Sequence, residues 1–150
     1  MTLTASEVEN LSLLIEQEIH VDAPLDVTFD ALLEQLGPGN ERPDGTSMLF
    51  KIEAWPGGRW FRDLGDDNGH FWAYVQAIKR PTLLEFAGPL FMSHPVTNNL
   101  QYRLSPEGDG TLIKFRHSGF GLMQEDHKRG IVEGWSYTHD KVRKRAEKSL

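Results

Sequence analysis

Gly69 to Gly88, GHFWAYVQAIKRPTLLEFAG, decides the fold. Its first run, HFWAYVQAIK, and its second, LLEFAG, are apolar and aromatic in composition, and Arg80-Pro81-Thr82 between them is turn chemistry, so the stretch reads as two antiparallel strands. The pattern continues outward on both sides. Upstream lie MLFKIEAW, from Met48, and GRWFRDL, from Gly58. Downstream lie TNNLQYRL, from Thr97, and TLIKFRHS, from Thr111. Pro56-Gly57-Gly58, Gly65-Asp66-Asp67-Asn68-Gly69 and Glu107-Gly108-Asp109-Gly110 separate them with residues that suit hairpin connections.

The period changes at both ends of this series. Leu13 to Val21, LLIEQEIHV, alternates Leu13, Ile15, Gln17, Ile19 and Val21 against a more polar set, as a strand with one buried face does. A helix follows: Pro24 suits a first helical position, Asp26 favours the positive N-terminal end, and Leu25, Phe29, Leu32, Leu33 and Leu36 form a stripe that Gly37 ends. Pro38 to Thr46 is a turn-rich loop. After Gly119-Phe120-Gly121 the spacing of Ile131, Trp135, Thr138 and Val142 predicts a long helix from Gln124 or Glu125 to the C-terminus. The order strand, helix, six strands, helix predicts an α+β fold with a single antiparallel sheet of six to seven strands, covered by the last helix. Residues 1–12 read as a tail and 13–150 as one domain.

Composition narrows the function classes. A formal charge of −6 argues against a nucleic-acid partner, which calls for a basic face. Lys141, Arg143, Lys144, Arg145 and Lys148 are a local exception, and they suit the negative end of a terminal helix. No apolar run reaches the roughly 20 residues of a membrane span, and Met1 to Asn10 has no signal-peptide character, so no membrane insertion and a cytoplasmic location are expected. The chain has no cysteine, which removes disulfides, thiolate nucleophiles and Cys-ligated zinc. No HExxH occurs, and Glu125, His127 and Glu133 at a helix start read as solvated charge, so no metal is expected. Ser118 lacks a GxSxG elbow, Gly119-Phe120-Gly121 lacks the rest of a dinucleotide fingerprint, and Asp66-Asp67-Asn68 has too few ligands for a calcium loop. No cofactor is expected.

Five segments carry a resemblance: IHVDAPLDVTFDAL, GGRWFRD, GHFWAYVQAIKRPTLLEF, GDGTLIKFRHSGFG and Gly134-Trp135. In this order, over about residues 13 to 145, they resemble the START-like, Bet v 1-like helix-grip superfamily (SRPBCC), and within it the branch named after an activator of the heat-shock-90 chaperone ATPase. The resemblance implies a curved sheet gripping the C-terminal helix, often around an apolar cavity. Members include lipid and hormone carriers, polyketide cyclases and chaperone activators, so no single activity follows. The final helix departs from the Leu-rich pattern at Thr138, His139 and Arg145, which implies looser packing of its last two turns and a pocket nearer Trp135 than Arg145.

The same resemblance puts Phe71, Ala73 and Val75 on the concave side of one strand, and Ile113, Phe115 and His117 on the concave side of another. Trp60 and Arg62 share one side of a third. If Trp60, Phe71, Val75, Phe115 and Trp135 converge, they make an apolar wall for a flat or hydrophobic ligand; the same residues equally make a packed core. His117 offers an imidazole to a ligand or a hydrogen bond to a neighbour. Arg62 and Tyr102 point inward by alternation, which a single bulge would reverse. Leu90, Phe91 and Met92, in the connection Pro89 to Pro95, can cap a pocket, meet a second copy or cover the core. Trp72 and Tyr74 should face outward, as a contact patch for a homodimer or under a loop. Three functions stay open: binding of a small hydrophobic ligand, cyclase or aromatase chemistry in the same cavity with His117 polarising a carbonyl, and a protein-interaction or chaperone-related module.

Overall fold

A computed structural model describes residues 4–90 and 94–149. A short helix α1 (Ala5–Asn10) precedes strand β1 (Ser12–Val21) and helix α2 (Leu25–Leu36). Strands β2 (Phe50–Ile52), β3 (Arg59–Gly65), β4 (Asn68–Lys79), β5 (Leu83–Gly88), β6 (Val96–Glu107) and β7 (Gly110–Gly121) follow, and helix α3 (Glu125–Lys148) closes the chain. The strands form one antiparallel sheet in the order β1-β7-β6-β5-β4-β3-β2. Every connection from β2 to β7 is between neighbours. Only α2 crosses, carrying the chain from one edge of the sheet to the other. This is the helix-grip architecture.

Alternation settles which face is covered. Ile15 and Val21 of β1, Leu100, Tyr102 and Leu104 of β6, and Ile113, Phe115 and His117 of β7 are buried beneath the helices. From α3 the stripe Ile131, Trp135, His139, Val142 and Ala146 descends onto them. The imidazole of His139, not Thr138, therefore continues the helix's inward face. The last two turns of α3 are tight rather than loose: Val142 and Ala146 are fully buried, and the Arg145 guanidinium bonds Gln35 Oε1 and the Gly39 carbonyl at the end of α2. Two other cations of this helix end are held by its own acids, Arg143 by Asp140 and Glu147, and Lys144 by Asp140, while Lys141 lies over the Tyr137 ring.

One irregularity redirects the aromatics of β4. Trp60 pairs with Ala73 and Phe61 with Phe71, so Trp72 is an extra residue opposite the Trp60–Phe61 bond. Beyond this bulge the alternation reverses. Trp72 turns inward, edge-on to Phe50 at 4.9 Å and to Trp60 at 5.2 Å, while Phe71 is 39% exposed on the outer face beside Tyr74. The expectations of a concave Phe71 and an outward Trp72 are thus both corrected, and Tyr74 alone of the expected outer patch remains outward. Gly88 is part of the same feature. A Cβ there would lie 2.5 Å from the Trp72 carbonyl oxygen and 2.6 Å from Ala73 Cα, so the bulge presses β5 against β4 where only glycine fits. Leu90 is buried, as core cover would be, and its N–H donates to the Trp72 carbonyl; Phe91 and Met92 lie outside the described residues.

Candidate functional site

A pocket of about 370 Å³ opens between the first half of α3, the end of α2 and the β3–β4 bulge. Three indoles line it: Trp60 from β3, Trp72 from the bulge and Trp135 from α3. Leu36 and Ile131 add apolar surface, and Asn40 and Thr138 add neutral polar groups. Asp126 and His127 complete the lining, Asp126 exposed and in an ion pair with Arg129, and His127 packed on the His94 ring at 4.2 Å. Local structure fixes each wall. The Trp60 N–H donates to the Leu36 carbonyl at 2.8 Å, at the C-terminal end of α2, and Trp72 is aimed inward by the bulge.

On the helix side the lining includes Gly130 and Gly134, one turn apart. Among the described residues, nothing lies within 4 Å of where their Cβ atoms would be. Glycine in a helix interior costs about 1 kcal/mol against alanine. No packing contact calls for that cost here, and what the two glycines leave is the open groove itself.

Of the eight residues expected at a site, Trp60 and Trp135 meet at this pocket. Val75, Tyr102, Phe115 and His117 are buried in the packed centre of the sheet–helix interface. There Phe115 lies 4.8 Å from Tyr102, 4.9 Å from Trp135 and 4.5 Å from His139 between ring centroids. Arg62 and Phe71 are elsewhere. The Arg62 Nε donates to the Met48 carbonyl at the sheet edge, and both residues border an outer groove with Trp55, Phe61 and Lys51. The wall of five converging aromatic and aliphatic residues is therefore split, because the bulge removes Phe71 and the core absorbs Val75 and Phe115.

The polar groups of that core are engaged with one another. Trp135 Nε1–H can only donate, so it gives its proton to His117 Nδ1 at 3.0 Å. The His117 proton consequently sits on Nε2 and goes to Asn98 Oδ1 at 2.7 Å, and Asn98 Nδ2 donates to the Pro89 carbonyl at 3.1 Å. A second chain runs beside it. Gln17 Oε1 can only accept, so His139 Nδ1 donates to it at 2.7 Å, and His139 Nε2 accepts from the Tyr102 hydroxyl at 2.9 Å. Burial disfavours the charged form of both imidazoles and lowers them from 6.5, His117 to about 4 and His139 to about 3; burial also pushes the Tyr102 hydroxyl upward. Both histidines are neutral at pH 7, with each ring nitrogen committed to a protein partner. The anchor role expected of His117 toward a ligand is thus taken by Trp135 and Asn98. Among the described residues no three His, Asp or Glu side chains are grouped to hold a metal ion, and no helix is long and apolar enough to cross a membrane.

Sequence reasoning did not place Trp72, Leu36, Asn40, Ile131 or the two glycines at a site. The bulge leaves no mark in the composition of β4. The spacing of Gly130 and Gly134 on a helix was a readable signal, since helix interiors select against glycine.

The comparisons with known proteins agree with this architecture. No curated protein sequence matches the chain. Among solved structures, an uncharacterised protein from Rhizobium leguminosarum is 16% identical with a TM-score of 0.71, over 91% of this chain and 95% of that one. Ara h 8.0201 is 13% identical with a TM-score of 0.63, over 91% of this chain and 99% of that one. The di-domain ARO/CYC StfQ from the steffimycin biosynthetic pathway is 13% identical with a TM-score of 0.67, over 96% of this chain and 53% of that one. At such identities the likeness speaks for the fold. The family model of Activator of Hsp90 ATPase homolog 1-like proteins matches residues 22–147. With that match over most of its length and the helix-grip fold around it, the chain belongs to the Activator of Hsp90 ATPase homolog 1-like family.

Proposed function

We propose that the protein binds a small, uncharged, aromatic or hydrophobic molecule in the pocket between α3 and the β3–β4 bulge. The observation that carries this reading is the convergence of Trp60, Trp72 and Trp135 on a groove that Gly130 and Gly134 keep open. Flat indole faces offer large apolar contact at little conformational cost, and about 370 Å³ is at the small end of the roughly 300–1,000 Å³ of ligand pockets. Asn40 and Thr138 supply hydrogen bonds to a polar group on the ligand, and the one carboxylate of the lining, Asp126, is paired with Arg129. A cyclase among the structural neighbours keeps catalysis in view. Binding is the reading the geometry favours, because the polar atoms of His117, His139 and Tyr102 are already engaged within the two hydrogen-bonded chains of the core.

Thermal unfolding with and without N-phenyl-1-naphthylamine, a neutral aromatic probe, tests this. At a hundredfold excess over its Kd the wild type gains roughly 5–10 °C. Gly134→Leu, whose side chain enters open space and fills the groove, stays folded and loses that gain. Equal stabilisation of the two proteins by the probe would remove the pocket as the site.

A further inference from the structure

Trp135 is held from three directions, and its remaining edge is wall of the pocket. Its indole N–H is fixed by His117 Nδ1 at 3.0 Å, one face stacks on His139 with only 10° between the rings, and Phe115 packs at 4.9 Å. His117 is in turn fixed by Asn98, and Asn98 by the Pro89 carbonyl. The sheet is shaped for this chain of bonds. Asn98 faces Gly119 across the β6–β7 ladder, and a Cβ at Gly119 would stand 2.7 Å from Asn98 Oδ1. Only glycine at that position lets the Asn98 side chain cross β7 to reach His117.

We propose that His117 is a positioning residue of the pocket, which through the Asn98–His117–Trp135 chain sets the orientation of the Trp135 indole against the ligand. This rests on the pocket being the ligand site. Leucine or valine would fill the same place between β7 and α3 but would remove the hydrogen bond that sets the indole's orientation, and a less firmly held wall residue weakens binding through the ordering it must undergo. An imidazole in a single tautomer accepts from Trp135 and donates to Asn98 at once. A glutamine amide, of similar reach, also does both.

The test reads Trp135 directly and the probe separately. In ¹H–¹⁵N spectra of the free protein, the Trp135 indole N–H is expected downfield and slow to exchange with solvent in the wild type and in His117→Gln. In His117→Leu it is expected to move upfield and exchange at least tenfold faster. N-phenyl-1-naphthylamine is expected to bind His117→Leu about tenfold more weakly than wild type and His117→Gln within about threefold. Asn98→Leu, which removes the far end of the chain, gives the same indole signature should His117→Leu fail to fold. An unchanged Trp135 resonance in these variants overturns the proposal whatever the probe does. So does undiminished probe affinity in a variant whose indole has been released, which makes the chain a matter of stability alone. A wild type that binds no probe retires the pocket reading, and with it the proposal, while the indole spectra still report whether His117 holds Trp135.

Discussion

Lowering the pH from 7 to 5 is expected to cost this protein roughly 4 kcal/mol of folding free energy, through His117 and His139. Both are buried neutral, with values lowered by burial from 6.5 to about 4 and about 3. Because these folded-state values are depressed, the unfolded chain binds more protons once the pH falls below 6.5. The stabilisation from neutral burial is therefore fully present above pH 6.5 and is lost as the pH falls toward 4 and 3. At pH 5 each imidazole accounts for about 2 kcal/mol, and the slope in the window is about 2.7 kcal/mol per pH unit for two protons. The carboxylates with lowered values, Asp44, Glu53, Asp63 and Asp140, titrate below this range. His20, exposed and paired with Glu107, acts in the opposite sense, and His127, partly exposed beside His94, in the same sense. Urea unfolding followed at pH 7, 6 and 5 measures the effect. With a denaturant slope of about 2 kcal/mol per molar, the midpoint is expected to fall by roughly 2 M. The double variant His117→Gln/His139→Gln is expected to flatten the profile. A wild-type midpoint that stays within about 0.3 M between pH 7 and pH 5 would refute the assignment of two neutral, buried imidazoles.

Other substitutions separate the features of the fold. Gly119→Ala places a methyl against Asn98 Oδ1 and is expected to cost about 1–3 kcal/mol in urea unfolding, as the loss of a buried hydrogen-bonded chain does. Trp72→Ala is expected to cost about 2–4 kcal/mol and Phe71→Ala less than about 1.5 kcal/mol, because the bulge turns the first inward and the second out; the reverse order would place the bulge elsewhere. Gly130→Ala is expected to raise the melting temperature by about 2–4 °C through helix propensity, since its Cβ meets no described atom.

Strand alternation and turn residues carried most of the fold. The run LLEFAG is β5 residue for residue, and Gly37 ends α2 where the stripe of Phe29, Leu32 and Leu36 ends. The inward face of β1, with Ile15 and Val21, followed from period two, and the family resemblance put Ile113, Phe115 and His117 of β7 on the same covered face. What alternation could not carry was its own interruption. A bulge depends on backbone pairing between β3 and β4 and on the closeness of Gly88, neither of which alters the residue pattern of HFWAYVQAIK, so Phe71 and Trp72 were assigned to each other's faces. The inward stripe of α3 shows the same limit. Thr138 fits the helical period as well as His139, and a histidine is accepted at a buried position here because Gln17 and Tyr102, distant in sequence, satisfy it. Trp135 was legible as part of a site. Its partner at the pocket, Trp72, was not.

The four tryptophans make the central claim directly measurable. Trp60, Trp72 and Trp135 line the pocket, and Trp55, 58% exposed, borders the separate outer groove. Titration of ¹⁵N-labelled protein with N-phenyl-1-naphthylamine, read at the indole N–H resonances, is expected to shift Trp60, Trp72 and Trp135 together along one saturating curve and to leave Trp55 in place. Shifts confined to Trp55, or no indole shift at a probe concentration that saturates fluorescence, would contradict a ligand site between α3 and the sheet.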